Sequence, residues 1–289
     1  MVEIAIFAAM SHNRSIHIAI VGTGNVATHF ALALACSSYH VAYICSRSQE
    51  AAEQLARQIN NNLKTTDTLL PACQARTAIL PQDSAPDIVF FCTADDAILP
   101  QAQRIFKHWP TAIFVHNAGS VPVHIFNGLV AHYGVVYPLQ TLSKWREVDF
   151  LQVPLFVEGS DAHTTAALEL LARNLSQRVQ RLDSIRRRNL HLAAVFACNF
   201  PNALFGIAEG LLSQAGVERN MLEPLLRETL SKFLENGAAR AQTGPAARGD
   251  KSVMERHTAM LSEGSDEQNI YQILSDYIYK KRSGRVNVV

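Results

Sequence analysis

The run IHIAIV at residues 16–21 leads directly into GTGNVA at residues 22–27, and residues 25–37 then carry helical spacing. Few architectures accept a glycine-rich turn between a strand and a helix. Gly22 permits a turn too tight for a side chain, Gly24 leaves bare backbone where a pyrophosphate can approach, and Ala27 lets the helix pack closely on the strand. The first N–H groups of that helix lack intrahelical partners and suit an anion. The pattern G-x-G-x-x-A thus predicts a dinucleotide site at Gly22, Thr23, Gly24, Asn25 and Val26, the alternative being a purely structural glycine turn.

The rest of the first half repeats the alternation. Apolar runs at 40–45, 87–92 and 112–116 read as strands, and 49–59 and 96–108 read as helices, with Ala52, Leu55, Ala56 and Ile59 on one face of the former. Near-continuous apolar strands are expected where helices cover both faces of a sheet. Strands follow at 134–137, 155–158 and 179–182, with a helix over 162–175, and 60–86 reads as a short strand within a long loop. Beyond 183 the strand signal stops, and 187–212, 218–234, 251–261 and 267–280 carry helical periodicity. The predicted fold is α/β, a doubly wound parallel Rossmann sheet followed by an all-helical domain. The boundaries are 1–14 for an N-terminal extension, 15–184 for the dinucleotide-binding domain and 185–289 for the helical domain. Met10 is an alternative start.

Charge supports the division. Residues 1–160 hold 20 of the 51 charged side chains, and residues 161–289 hold 31. A net charge of +1 gives no reason to expect nucleic acid or an acidic membrane as partner. Residues 15–46 lack charge, but Gly22, Gly24, Asn25, Thr28, His29 and Ser37 interrupt them, which argues against a membrane span. The cysteines at 36, 45, 73, 92 and 198 form no CxxC pair, and four of them, all but Cys73, sit in apolar segments, pointing to a reducing, cytoplasmic location. No GxSxG elbow or HExxH spacing is present, so neither a serine nucleophile nor a metal is expected.

At the end of the second strand an NAD site carries Asp or Glu for the ribose 2′-hydroxyl. Here the residues are Ser46, Arg47 and Ser48. Arg47 forks onto phosphate oxygens and the hydroxyls add donors, so NADP is favoured over NAD. Thr93, Ala94 and Asn117 lie at carboxyl ends of later strands, where open α/β sheets bind ligands. Asp96 reads as a helix cap. His116 ends a buried strand, and either proton exchange near neutral pH or an orienting hydrogen bond suits it. Lys144 is a further candidate proton donor, with a solvated lysine as the alternative.

With the glycine turn, HNAGS at 116–120, GVVYPLQT at 134–141, HLAAVFACNFPN at 191–202 and QTGPAARGD at 242–250 in view, the chain from about residue 15 resembles a bacterial family of Rossmann-like proteins with a helical C-terminal domain of unknown function. More distantly it is similar to the 6-phosphogluconate, 3-hydroxyisobutyrate, ketopantoate and pyrroline-5-carboxylate reductase superfamily. The resemblance implies NADP binding, a helical domain that forms a homodimer, and a small-molecule substrate. The superfamily's hydroxyacid branch also implies a catalytic Lys four residues before an Asn on the first long helix of the second domain. If that Asn is Asn199, the Lys position is Val195, and His191, one turn earlier on the same face as Asn199 and Asn202, is the candidate proton donor. Pro201 should break or kink this uncharged helix at about 3 kcal/mol. Arg248, flanked by glycines, is the candidate anchor of an anionic substrate, with Asp250 as its partner or as a helix cap. The expected function is an NADP-dependent oxidoreductase acting on a keto, hydroxy or imino group, and the alternative is a dinucleotide-binding sensor without turnover.

Overall fold

The computed structural model describes residues 15–37, 39–63, 71–80 and 82–282. The N-terminal extension, including Met10, lies outside them. The described residues form two compact units that divide between Cys198 and Asn199, further along the chain than the charge pattern suggests.

In the first unit, β1 (His17–Val21), β2 (His40–Cys45), β3 (Gln74–Arg76), β4 (Ile88–Phe91), β5 (Ile113–His116), β6 (Tyr133–Pro138), β7 (Leu155–Gly159) and β8 (Val179–Arg181) form one sheet in the order 3-2-1-4-5-6-7-8. β1 to β6 are parallel. β7 runs antiparallel to β6, and β8 follows β7. The first six strands have the Rossmann order, with the topological switch between β1 and β4.

Alternate side chains of each strand enter separate cores. Ile18, Ile20, Ile44 and Phe90 join the core under α1 (Asn25–Ala35), α2 (Gln49–Leu63) and α4 (Ala162–Leu175). Ala19, Val21, Val89 and Phe91 join the other, with Ile98, Ala102 and Ile105 of α3 (Ile98–Phe106). Both faces are therefore dry, which explains the unbroken apolar runs. Ala52, Leu55, Ala56 and Ile59 are buried in the first core, as their spacing predicts. Fully buried Phe30 and Phe90 pack with centroids 5.1 Å apart, and each such burial contributes about 2 kcal/mol. Cys45, Cys73 and Cys92 are buried, but Cys36 and Cys198 are exposed: Cys36 lies just past buried Leu34 and Ala35 of α1, and the residues around Cys198 are themselves exposed.

α5 (Ser184–Ala194) is fastened to the sheet by a buried cation. Arg187, fully buried, donates to the Glu158 carboxylate and to the Val121 carbonyl, and Ser184 Oγ donates to Glu158 at 2.7 Å. Asp183 caps the helix, accepting from Arg186 N at 2.9 Å.

The second unit contains α6 (Phe200–Ala215), α7 (Glu223–Ala241), α8 (Pro245–Arg248), α9 (Lys251–Ala259) and α10 (Asp266–Arg282). The expected interruption at Pro201 takes the form of a change in helical winding. A five-residue π-helical turn, Val195–Asn199, precedes it and supplies the wider ring that a missing donor and a bulky ring need. Gly237, at φ +72°, instead interrupts α7. The continuous helix Ser184–Ala215 is long and apolar enough to cross a membrane, yet none of its most apolar window is buried. Ala246 is the buried apolar residue of this unit among those described.

His116 is fully buried, packs 5.8 Å from the Phe126 ring and accepts from Ala118 N at 3.2 Å through Nδ1. Burial, and after it the Arg187 charge, push its pKa down to about 3, against a weaker pull from the Pro122 backbone. It is neutral at physiological pH, and the expectation of proton exchange near neutrality is corrected: a charged imidazole cannot be solvated there. Because the folded value lies below the unfolded one, the folded state should lose stability as pH falls from about 6.5 towards 3, by up to about 1.4 kcal/mol per unit. Urea unfolding at pH 7 and pH 4.5 should show a smaller acid loss in His116→Asn than in wild type. Equal losses would exclude His116 as the acid-sensitive group.

Candidate functional site

The carboxyl ends of β1, β2, β3 and β4 open onto a cavity of about 990 Å³, within the range of cofactor sites. The glycine turn forms its floor. Gly22 sits at φ +120°, where a Cβ would collide with the Cys92 carbonyl oxygen, and its N–H donates to the Cys45 carbonyl at 2.8 Å. A Cβ at Gly24 would meet nothing within 4 Å, so this backbone is bare toward open space, and Ala27 is fully buried against the strand. The first turn of α1 contains no acidic side chain, which leaves its positive end uncompensated. A pyrophosphate fits this combination.

Of the expected cofactor residues, Gly22, Thr23, Gly24, Asn25, Val26, Ser46, Arg47, Thr93, Ala94 and Asn117 line the cavity. Thr23 Oγ1 and Ser46 Oγ are 3.3 Å apart. Arg47 is exposed. Ser48 is not in the lining: its hydroxyl accepts from Ala51 N at 3.2 Å and caps α2, since a serine one residue before a helix is taken by the orphan N–H groups. Asn117 has its amide committed, donating to the Val136 carbonyl at 2.7 Å and accepting from Cys92 Sγ at 2.7 Å. Asp96 lines the cavity and makes no capping bond; a 3-10 turn, Asp95–Ala97, leads into α3 instead.

The proposed proton donors are separated. His116 faces the core and is absent from the lining. Lys144 is exposed, and its backbone N–H donates to Asn25 Oδ1 at 3.3 Å, while His29 Nε2 lies 3.0 Å from the Ser143 carbonyl; two bonds thus hold this loop on α1. His191 packs against Gly119, where a Cβ would lie 2.6 Å from its ring, and its Nδ1 is 3.0 Å from Tyr137 Oη. Burial raises the Tyr137 pKa and the Arg187 charge opposes the shift.

Asn199, Asn202 and Arg248 belong to the second unit. The two amides are exposed. Arg248 pairs with Asp250 through Nε and NH2, both at 2.8 Å, and Asp250 makes no side-chain cap. Sequence reasoning missed Tyr137 and Arg76. Tyr137 stands at the end of β6, a position that strand-end logic reaches only once the sheet order is known. Arg76 lines the cavity from a three-residue strand too short for periodicity to register.

Residues 17–99 match the model of coenzyme F420-dependent NADP oxidoreductases, and residues 153–278 match a domain of unknown function, DUF2520. A protein of Bacteroides fragilis described as a candidate NADP oxidoreductase is 36% identical, with 92% of this chain and 98% of that chain covered at a TM-score of 0.83. A Thermotoga maritima protein is 21% identical, with 92% and 99% covered and a TM-score of 0.71. The prephenate dehydrogenase of A. aeolicus is 12% identical, with 93% and 86% covered and a TM-score of 0.51. These two share the fold alone. Among curated proteins none matches. The glycine turn, the sheet order and the Bacteroides relative place the chain, by membership, in the family that joins an NADP-oxidoreductase-type Rossmann domain to the DUF2520 helical domain.

Proposed function

We propose that the protein is an NADP-dependent oxidoreductase acting on a keto, hydroxy or imino group of a small anionic metabolite, in the cytoplasm and as a homodimer. The observation that carries this reading is the cavity itself, with bare backbone at Gly24 and an exposed arginine, Arg47, at the end of β2. No carboxylate stands beside Ser46 and Ser48 to receive a 2′-hydroxyl. The backbone of Gly22 to Val26 holds the pyrophosphate and Arg47, with Ser46, holds the 2′-phosphate. When bound, the nicotinamide supplies the hydride.

His191 is the proton donor in this reading. Gly119 lets its ring approach the segment that follows Asn117, and Tyr137 holds Nδ1, so Nε2 is left for the substrate. In the reducing direction hydride adds to carbon, and the proton passes from His191 to the oxygen or nitrogen. Within the second unit, Arg248, whose guanidinium Asp250 orients, is the side chain we propose to bind an anion. Val195, apolar where the hydroxyacid branch of the superfamily carries Lys, favours the alternative of a sensor without turnover.

The homodimer rests on exposed apolar surface. Phe200, Leu204, Phe205 and Leu211 on α6, and Leu225, Leu230, Phe233 and Leu234 on α7, are all exposed. A helical unit with so little buried needs a cover, and a second copy of the same surface is self-complementary about a twofold axis. Unpaired thiols suit a reducing compartment.

Three outcomes are expected. In calorimetric titrations wild type should bind NADPH at least tenfold more tightly than NADH; Arg47→Asp should reverse that order, and Gly24→Val should abolish binding without lowering Tm, since its Cβ enters open space. An unchanged NADPH/NADH ratio in Arg47→Asp would remove Arg47 from the site. In a screen of 2-keto, 3-hydroxy and cyclic imino acids, His191→Ala should lower kcat about 100-fold with NADPH binding intact, and Tyr137→Phe should shift the pH profile of kcat; cofactor binding with no turnover across the panel would favour the sensor. By sedimentation velocity wild type should be a dimer and Leu230→Glu/Phe233→Glu a monomer, and a monomeric wild type would exclude the homodimer.

A further inference from the structure

Arg76 is the second arginine at the ribose end of the cavity, and its chemistry differs from that of Arg47. Its Nε donates to both Asp83 oxygens at 3.1 and 2.9 Å, and NH2 donates to Asp83 Oδ1 at 2.7 Å. NH2 also donates to Gln74 Oε1, and NH1 donates to the Ala75 carbonyl at 3.0 Å. Four of the five N–H groups of the guanidinium are thereby taken. Its charge is matched by a carboxylate whose side chain is only 2% exposed, against 18% for the arginine. An arginine so committed has little left with which to fork onto a phosphate.

What remains is its flat face. The guanidinium carbon lies 5.5 Å from the Tyr43 ring centroid, and Tyr43 in turn stacks on Trp109 at 5.4 Å with the rings 29° apart. Arg76 lines the cavity and Tyr43 does not, so the side turned away from Tyr43 is the side available to a ligand. Its register opposite Cys45 sets it beside the strand end that carries Ser46 and Arg47, and the Ser46 N–H donates to its carbonyl at 2.9 Å. The next residues of the lining, Thr77, Ala78 and Ile79, are uncharged.

We propose that Arg76 is a stacking platform for the adenine ring of the cofactor, locked in orientation by Asp83 and backed by Tyr43. This rests on the dinucleotide reading of the cavity and deepens it by dividing the work: Arg47 reads the 2′-phosphate and Arg76 holds the purine. A planar cation against a purine favours stacking irrespective of the phosphate.

Calorimetric titration of wild type, Arg76→Lys and Arg76→Leu with NADPH, NADH and ADP tests the assignment, with Tm recorded for each. Both variants should bind all three ligands about tenfold more weakly with the NADPH/NADH ratio unchanged, because lysine keeps the charge and loses the plane. Wild-type affinity in folded Arg76→Lys would overturn the platform, and so would a loss confined to NADPH, which would make Arg76 a phosphate anchor. A wild type that binds none of the three ligands would instead overturn the dinucleotide reading itself. If Arg76→Leu does not fold, Arg76→Lys carries the comparison alone.

Discussion

The first unit is organised by a turn with no room for a side chain. Gly22 passes so close to the Cys92 carbonyl that a single methyl group would push β1 and β4 apart, and those two strands flank the point where the sheet reverses its winding. Close approach there brings the start of α1 over the strand ends, and Ala27 keeps the helix down. The cavity follows from that geometry, because loops leaving a switch point diverge to opposite sides of the sheet.

Around this opening the polar groups divide into those already bonded and those still available. Asn117 and Arg76 are bound to protein partners, and each thereby stiffens the wall it belongs to. Gly24 and Arg47 are exposed to the opening. A site prepared for a ligand needs both kinds, since ordering long side chains only when the ligand arrives costs affinity. The Tyr137–His191 pair extends the same principle beyond Asn117, with buried Arg187 and its partner Glu158 fixing α5 behind it. The second unit presents the opposite situation, with large apolar side chains on α6 and α7 exposed among the described residues.

Much of this was legible in the chain. The G-x-G-x-x-A turn, the alternation of apolar strands with helices and the face formed by Ala52, Leu55, Ala56 and Ile59 are local patterns, and local sterics and periodicity determine them. His116 misled because a histidine at a strand end looks the same whether its ring enters the cavity or the core. Ser48 misled because capping and phosphate binding call for the same hydroxyl. Pro201 signalled an irregular helix, but the form it takes, a π-helical turn, has no residue signature of its own.

The sequence by itself determined the Rossmann class, the position of the glycine turn and the candidate Arg47, since each depends on residues within a few positions of one another. Only the tertiary structure decided which side chains remain available. The proposed roles of Arg76, Tyr137 and His191 depend on partners that the fold brings up, Asp83 seven residues on and Tyr43 from the neighbouring strand for the first, and each other, across 54 residues, for the other two. Burial and hydrogen-bond occupancy are properties of those encounters, and no spacing rule along the chain encodes them.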